Sequence, residues 1–200
     1  MGRNRTDFVW AISGYLKGLG FKGSGTAFSR TGAEAGLGQI VGLWFGTGNC
    51  QGLLRLSVGI LIAEAYEAHL AKSVPRRPKE YECQVRLPLR TLCGLPGWGW
   101  STEGDVSGSL QAIFECFNTY ATPLLDRLGT RTGLLEEDWK AFPSAVFGLD
   151  RISRAAILAH LGRTSESMQV LQEEYRTRKT AGAREVLRAA AERIGVVPDL

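Results

Sequence analysis

Residues 38–62 read GQIVGLWFGTGNCQGLLRLSVGILI, and the spacing of their apolar side chains decides the fold. Apolar residues recur at every second position on both sides of a turn at residues 46–49, which is the period of a half-buried β-strand. One face of this predicted hairpin carries Val41, Leu43 and Phe45 from the first arm and Leu54, Leu56, Val58, Ile60 and Ile62 from the second. The other face carries Gly42, Trp44, Arg55, Ser57 and Gly59. We therefore expect one face to lie on a core and the other to be open to solvent or to a partner.

The flanking sequence predicts the rest of an α+β fold. A short segment around Phe28 and an alternating segment from Glu82 to Arg90 predict two further strands, which with sequential pairing give a four-stranded antiparallel sheet. Apolar residues at helical spacing predict helices at residues 6–19 and 109–128, and these helices are expected to cover one face of the sheet. The chain beyond residue 129 is helical and more polar. We predict a core domain at 1–129 and a C-terminal helical extension at 130–200.

Composition narrows the class of protein. The 200 residues are 44% hydrophobic and 22% charged, which suits a compact folded chain. The formal charge of +4 comes from 24 basic and 20 acidic residues, and so mild and mixed a balance demands neither nucleic acid nor a membrane surface as a partner. The longest strongly apolar run is shorter than the roughly 20 residues that span a bilayer. We expect a cytoplasmic protein with no membrane partner.

The cysteines and histidines do not predict a metal site. Cys50, Cys83, Cys93 and Cys116 include no C-x-x-C pair, and the histidines are His69 and His160. A zinc site needs ligands that converge at short spacings, so we expect reduced thiols, no metal and no cofactor.

A series of short motifs resembles the bacterial family called domain of unknown function 4304. The motifs that carry the resemblance are Leu19-Gly20-Phe21, Phe28-Ser29-Arg30, Gln39, residues 56–59, Cys83 with Arg86, Trp100, and Tyr120 with Pro123-Leu124-Leu125. The resemblance covers residues 7 to about 129 and leaves the helical tail outside. It implies a fold, and because the family carries no established activity it implies no catalytic residues.

Catalytic patterns are weak in this sequence. Ser57 has no histidine near it in sequence, and a nucleophilic serine needs a base. The glycine clusters at 18–25 and 46–52 lack the G-K-[ST] of a phosphate-binding loop, so turns explain them better. Whether the protein is an enzyme stays open, and the residues favour a non-catalytic role.

Two functional hypotheses remain. The first is a protein-binding module whose surface lies on the open sheet face beside a tryptophan-containing loop, and its predicted binding residues are Trp44, Arg55, Ser57, Arg86, Trp98 and Trp100. Gly42 and Gly59 are expected to leave a shallow depression there. Small bacterial α+β proteins without catalytic groups act as immunity or antitoxin proteins, so by analogy the partner protein is a toxin. The second hypothesis is a small-molecule or nucleic-acid binding domain, because stacking rings and cations suit bases and anions.

Two segments allow two interpretations each. Trp98 and Trp100 lie in a glycine-rich loop, where they either cap the end of the core or form a contact surface. The loop Pro75-Arg76-Arg77-Pro78-Lys79 is either a solvated connection or an arm that attracts anions. The oligomeric state and the partner's identity do not follow from the sequence.

Overall fold

The fold is built on an antiparallel sheet. The computed structural model describes residues 2–196, with side chains from residue 5, and within this range the sheet has six strands. They are β1 (Lys22–Ser24), β2 (Ala27–Thr31), β3 (Leu37–Phe45), β4 (Leu53–Ile62), β5 (Val85–Pro88) and β6 (Trp100–Ser101). The order is β1-β2-β3-β4-β5, and β6 pairs with the first two residues of β4. The predicted α+β class and antiparallel sheet are confirmed, and the two strands beyond the predicted four are short.

The central hairpin has the predicted side-chain parity. Val41 pairs with Val58 and Leu43 with Leu56, and all four side chains are buried. Because the side-chain period of a strand is two, this register places every apolar residue of the pattern on the same face of the sheet.

One of the two unpredicted strands arises within the glycine cluster at 18–25, which the sequence predicted to form turns. The Gly/Ser-rich residues 22–24 form β1, and Gly25 at the turn into β2 has a φ of +67°, which glycine adopts without a steric penalty. Phe28 of β2 points into the core as expected.

Helices cover the apolar face of the sheet and continue beyond it. They are α1 (Gly2–Gly18), α2 (Ala63–Leu70), α3 (Leu89–Leu92), α4 (Val106–Cys116), α5 (Thr122–Arg127), α6 (Arg131–Glu136), α7 (Arg151–His160), α8 (Thr164–Thr177) and α9 (Ala181–Ile194). The predicted helix at 109–128 is interrupted by a π-helical turn at Phe117–Ala121. Pro123 follows this turn and has no N–H for an α-helical hydrogen bond, so the chain changes pitch there.

The C-terminal helices share the core of the sheet domain. Leu158, Leu171 and Leu187 belong to the same buried cluster as Phe8 and Val58. Helix α7 packs mainly on α8 and α2, and α9 also contacts α2. A C-terminal helical part is therefore present as predicted, whereas the division into domains at residue 129/130 stays a prediction.

A buried arginine ties the C-terminal part to the sheet domain. Arg131, at the start of α6, is 3% exposed. Its guanidinium donates to both carboxylate oxygens of Glu64 on α2 at 2.7 and 3.0 Å, and to Glu34 before β3 at 2.9 Å. It also donates to the Ala35 carbonyl at 3.0 Å. The connection between α5 and α6 is thereby fixed to the loop that precedes β3.

No helix within residues 2–196 combines the length and the apolar character needed to cross a membrane.

A candidate binding cleft on the second face of the sheet

A segment of chain crosses the face that the sequence predicted to be open. Residues 80–82 form one turn of 3-10 helix over β3 and β4. Glycines make this close approach possible: a Cβ on Gly42 would lie 3.0 Å from Glu80 Cβ, and one on Gly59 would lie 2.5 Å from Cys83 Sγ. The shallow depression expected at the two glycines is therefore filled by protein, and that detail of the sequence prediction is wrong.

The same crossing corrects the strand predicted from Glu82 to Arg90. Only residues 85–88 pair with β4, and Leu89 begins α3. The alternation from Glu82 predicts Cys83 on the core face with Val85 and Leu87, but a bend at Gln84 separates Cys83 from the strand, and Cys83 does not share that face. Its side chain packs instead against Ile40 and Leu61 on the second face.

The crossing segment divides the second face and leaves a cleft of about 240 Å³ over β4 and β5. Five of the six residues that the sequence predicted as binding residues line this cleft: Trp44, Arg55, Ser57, Arg86 and Trp98. We call it the aromatic–arginine cleft. The register explains the convergence, because Trp44 pairs with Arg55 across β3 and β4, while Arg86 pairs with Gly59 and projects from the same face.

Four aromatic side chains form the walls of the cleft. Trp44, Tyr81, Trp98 and Phe147 are each between 40% and 55% exposed. The Trp44 and Tyr81 rings lie 6.0 Å apart and are tilted by 55°. Large aromatic surfaces that remain half exposed are costly in water, and grouping them in one concave place is typical of an interaction site.

Two arginines in the cleft have no acidic partner in contact. The ion pairs within residues 5–196 involve neither Arg55 nor Arg86. The Arg86 guanidinium lies 4.1 Å from the centre of the Phe147 ring, which is a cation–π contact. Both guanidinium groups therefore have hydrogen-bonding capacity for an incoming acceptor.

The floor of the cleft is polar. Ser57 is 1% exposed, and its hydroxyl makes no hydrogen bond to the described part of the chain. Glu80 is also buried. Burial raises the pKa of the Glu80 carboxyl above its ordinary value, and this effect outweighs Arg86, Arg55 and hydrogen bonding by the Trp44 indole, which all favour the charged form. The cleft thus combines two cations with one carboxyl group that is costly to ionise.

Trp100, the sixth predicted residue, lies elsewhere. It pairs with Leu54 in β6, is 4% exposed and belongs to the core cluster. The loop approaches β4 closely at Gly99, where a Cβ would lie 2.6 Å from the Leu54 carbonyl oxygen. Trp100 therefore caps the core, which was the other interpretation of the tryptophan loop, while Trp98 remains at the cleft.

Sequence reasoning missed Glu80, Tyr81, Pro88 and Phe147, which complete the lining of the cleft. Phe147 comes from the C-terminal part, and it is placed by two backbone hydrogen bonds with Arg86, of 2.9 and 3.0 Å. No local sequence pattern predicts the pairing of Phe147 with Arg86. The glycines at 42 and 59 were a usable signal for Glu80, since glycine inside a strand marks a close approach of another backbone.

The two histidines lie away from the cleft. Neither histidine lines it; His69 Nε2 instead lies 3.2 Å from Asp150 and 3.3 Å from Ser153, at the start of α7. Both contacts involve the same ring nitrogen, so the arrangement does not have a base held between an acid and a nucleophile. Within the described residues, no three His, Cys, Asp or Glu side chains are grouped to hold a metal ion.

The fold is of the α+β class, and the second face of its antiparallel sheet carries the aromatic–arginine cleft. Residues 12–127, more than half of the chain, match the family model described as Domain of unknown function (DUF4304), so the chain belongs to that family. A comparison with curated proteins and one with solved structures each found no match. The matched region contains every residue that lines the cleft except Phe147.

The substitution Glu80→Gln is expected to make the protein more stable at neutral pH. Because the folded-state pKa is raised, the native state holds the proton more tightly than the unfolded state, and wild-type stability falls as the pH rises from the unfolded pKa through the folded one. The glutamine side chain of the variant does not ionise, so the variant does not lose stability in this way as the pH rises. Urea denaturation across a pH series should show an advantage of the variant that grows through this window and then levels off.

The matched control is Glu185→Gln, at an exposed position on α9. Its difference from wild type should not change with pH in the same window. A Glu80→Gln variant that loses stability relative to wild type as the pH rises would contradict the expected sign.

Proposed function

We propose that this protein is a non-catalytic binding module that recognises another protein through the aromatic–arginine cleft. The observation that carries the proposal is the convergence of four half-exposed aromatic side chains and two arginines that form no ion pair within residues 5–196 on one concave site. Tryptophan, tyrosine and arginine are the residues most enriched among those that dominate the energy of protein–protein interfaces.

The dimensions of the cleft favour an anchor side chain over a free small molecule. Its volume of about 240 Å³ lies below the roughly 300–1,000 Å³ of typical small-molecule pockets. A second groove of about 540 Å³ adjoins it and shares Tyr81, Arg86 and Phe147. A protein partner can place one side chain in the cleft and lay a neighbouring segment along this groove.

The charge of the cleft indicates the chemistry of the anchor. Arg55 and Arg86 can donate to a carboxylate, and the Ser57 hydroxyl adds a donor at the floor. An aspartate or glutamate of the partner, flanked by an apolar residue that packs on Trp44 or Phe147, satisfies both features. A toxin is the partner class to test first, by analogy with immunity and antitoxin proteins, and a cytoplasmic location belongs to the same proposal.

The test begins with affinity capture from the native cell, in which the products of neighbouring genes are examined first. The dissociation constant of the recovered partner is then measured for wild type, Trp44→Ala and Arg86→Ala. Each variant is expected to weaken binding by about 30-fold or more, the effect of losing a residue worth about 2 kcal/mol at an interface.

Matched controls separate the cleft from general surface effects. Trp10→Ala removes a tryptophan that is 81% exposed on α1 and does not line the cleft, and Arg176→Ala removes an exposed arginine on α8. Both should bind as wild type does. If Trp44→Ala and Arg86→Ala retain both stability and partner affinity, the cleft is not the binding site.

The arginines and the Ser57 hydroxyl also support a second candidate function, the binding of an anionic small molecule or a nucleic acid in the same cleft. The salt dependence of the affinity distinguishes this candidate function from the recognition of a protein. Binding through phosphate contacts weakens steeply between roughly 50 and 200 mM salt, whereas an interface anchored by aromatic side chains depends less on salt. A steep salt response that Arg55→Ala abolishes would favour the second candidate.

A further inference from the structure

A strongly basic pocket lies on the second face of the sheet, on the other side of the crossing segment from the cleft. It has a volume of about 380 Å³. Four cationic side chains line it, Lys22 from β1 and Arg76, Arg77 and Lys79 from the loop before residue 80, and no acidic residue does. We call this the basic pocket. Its position follows from the register, because Ala27 and Ser29, which also line it, pair with Gly42 and Ile40 on the face that bears the cleft.

The loop that carries three of these cations is held at both ends. Before it, Val74 packs against the cluster of Ile40, Leu61, Tyr66 and Cys83. After it, the Lys79 N–H donates to Glu82 Oε2 at 2.6 Å. Pro75 and Pro78 fix two backbone φ angles between these points. Because the backbone of this loop is held at both ends, an anion that binds there orders little further backbone.

The four cations of the basic pocket form no salt bridges among the described residues. None of them takes part in an ion pair between side chains of residues 5–196. The whole chain has nearly as many acidic as basic residues, 20 against 24. A pocket with four cations and no carboxylate in its lining is therefore much more basic than the chain as a whole. Like charges repel one another, and an anion of matching size relieves that repulsion.

We infer that the basic pocket binds a multiply charged anion of the phosphate type. Arginine presents a planar set of donors that fits two oxygens of one phosphate group, and lysine supplies point charges around it. The exposed hydroxyls of Ser24 and Ser29 in the lining add neutral donors. This inference does not depend on the proposed function, because the cleft and the basic pocket share no lining residue.

Phosphate groups of this kind occur in free polyphosphates and in the backbone of nucleic acids, and two probes distinguish these sources. Inorganic tripolyphosphate represents the free anion, and a single-stranded oligothymidine of about ten nucleotides represents the backbone. Calorimetric titration of the full chain should show binding of at least one probe, which weakens about tenfold or more between roughly 50 and 200 mM salt. Tighter binding of tripolyphosphate indicates a free anion, and tighter binding of the oligonucleotide indicates a nucleic acid.

The double variant Arg76→Gln/Arg77→Gln should weaken binding of the preferred probe by about tenfold or more, since two phosphate contacts are lost. The matched control, Arg176→Gln/Lys179→Gln, removes the same charge from exposed positions near the end of α8 and should bind as wild type does. The proposal is overturned if wild type binds neither probe, or if the two double variants lose affinity equally. Trp44→Ala should leave probe binding unchanged. Anion binding by the basic pocket is therefore tested separately from protein binding by the aromatic–arginine cleft.

Discussion

Replacing Arg131 with methionine is expected to lower the free energy of unfolding by about 3–5 kcal/mol, the cost of removing one partner from a buried ion-pair network. Arg131 is almost completely buried, and its guanidinium makes hydrogen bonds to Glu34, Glu64 and the Ala35 carbonyl. Methionine fills much of the same space but leaves the two carboxylates without a cation. Urea or thermal denaturation of the two proteins measures the difference.

Two further variants show whether unpaired charge is the cause. Adding Glu34→Gln and Glu64→Gln to Arg131→Met should recover part of the lost stability, because no unpaired carboxylate then remains. Arg151→Gln is the control for an exposed pair: Arg151 and Glu173 lie 3.2 Å apart on the surface, and the expected loss is below about 1 kcal/mol. An Arg131→Met loss as small as that of Arg151→Gln would contradict the structural role given to the buried network.

The Arg131 network and Phe147 bear on where this protein can be divided. Arg131 and Phe147 both lie beyond residue 129, outside the region that matches the family, whereas Glu34 and Glu64 lie inside it. A fragment that ends at residue 129 loses the partner of Glu34 and Glu64, and it also loses the Phe147 wall of the cleft. The buried core and the candidate site therefore both include residues from either side of residue 129, while the division into two domains stays a prediction.

Local sequence predicted those parts of the structure that depend on side-chain period. The hairpin followed from alternation, because burial of Val41, Leu56 and Val58 on one face fixes Trp44, Arg55 and Ser57 on the other. The same parity rule led to an error at Cys83, because the strand begins only at Val85 and a bend at Gln84 breaks the alternation between the two residues.

Contacts between distant segments could not be predicted in this way. Phe147 reaches the cleft through backbone pairing with Arg86, 61 positions earlier in the chain, and Glu80 reaches it by crossing the sheet over two glycines. Trp98 and Trp100 flank one glycine in similar sequence, yet pairing of Trp100 with Leu54 buries one ring and leaves the other exposed. Tertiary packing, which single-sequence patterns do not encode, decided each of these placements.

Trp100→Ala is expected to lower the free energy of unfolding by about 3–5 kcal/mol, as for other large aromatic side chains removed from a core. Trp100→Phe should cost only about 1–2 kcal/mol, because phenylalanine refills most of the space and removes an indole N–H that is buried without a hydrogen-bond partner among the described residues.

Trp98→Ala supplies the contrast, since Trp98 is 40% exposed at the cleft. Its unfolding free energy should fall by less than about 1 kcal/mol, while its affinity for a partner bound in the cleft falls with that of Trp44→Ala. Denaturant unfolding and partner titration of Trp98→Ala, Trp100→Ala and Trp100→Phe together test both assignments. Trp100→Phe should unfold at slightly lower denaturant than wild type and bind the partner normally, because its ring lies on the opposite face of the sheet from the cleft. Loss of partner binding in a stably folded Trp100→Phe variant would show that Trp100 is part of the binding surface.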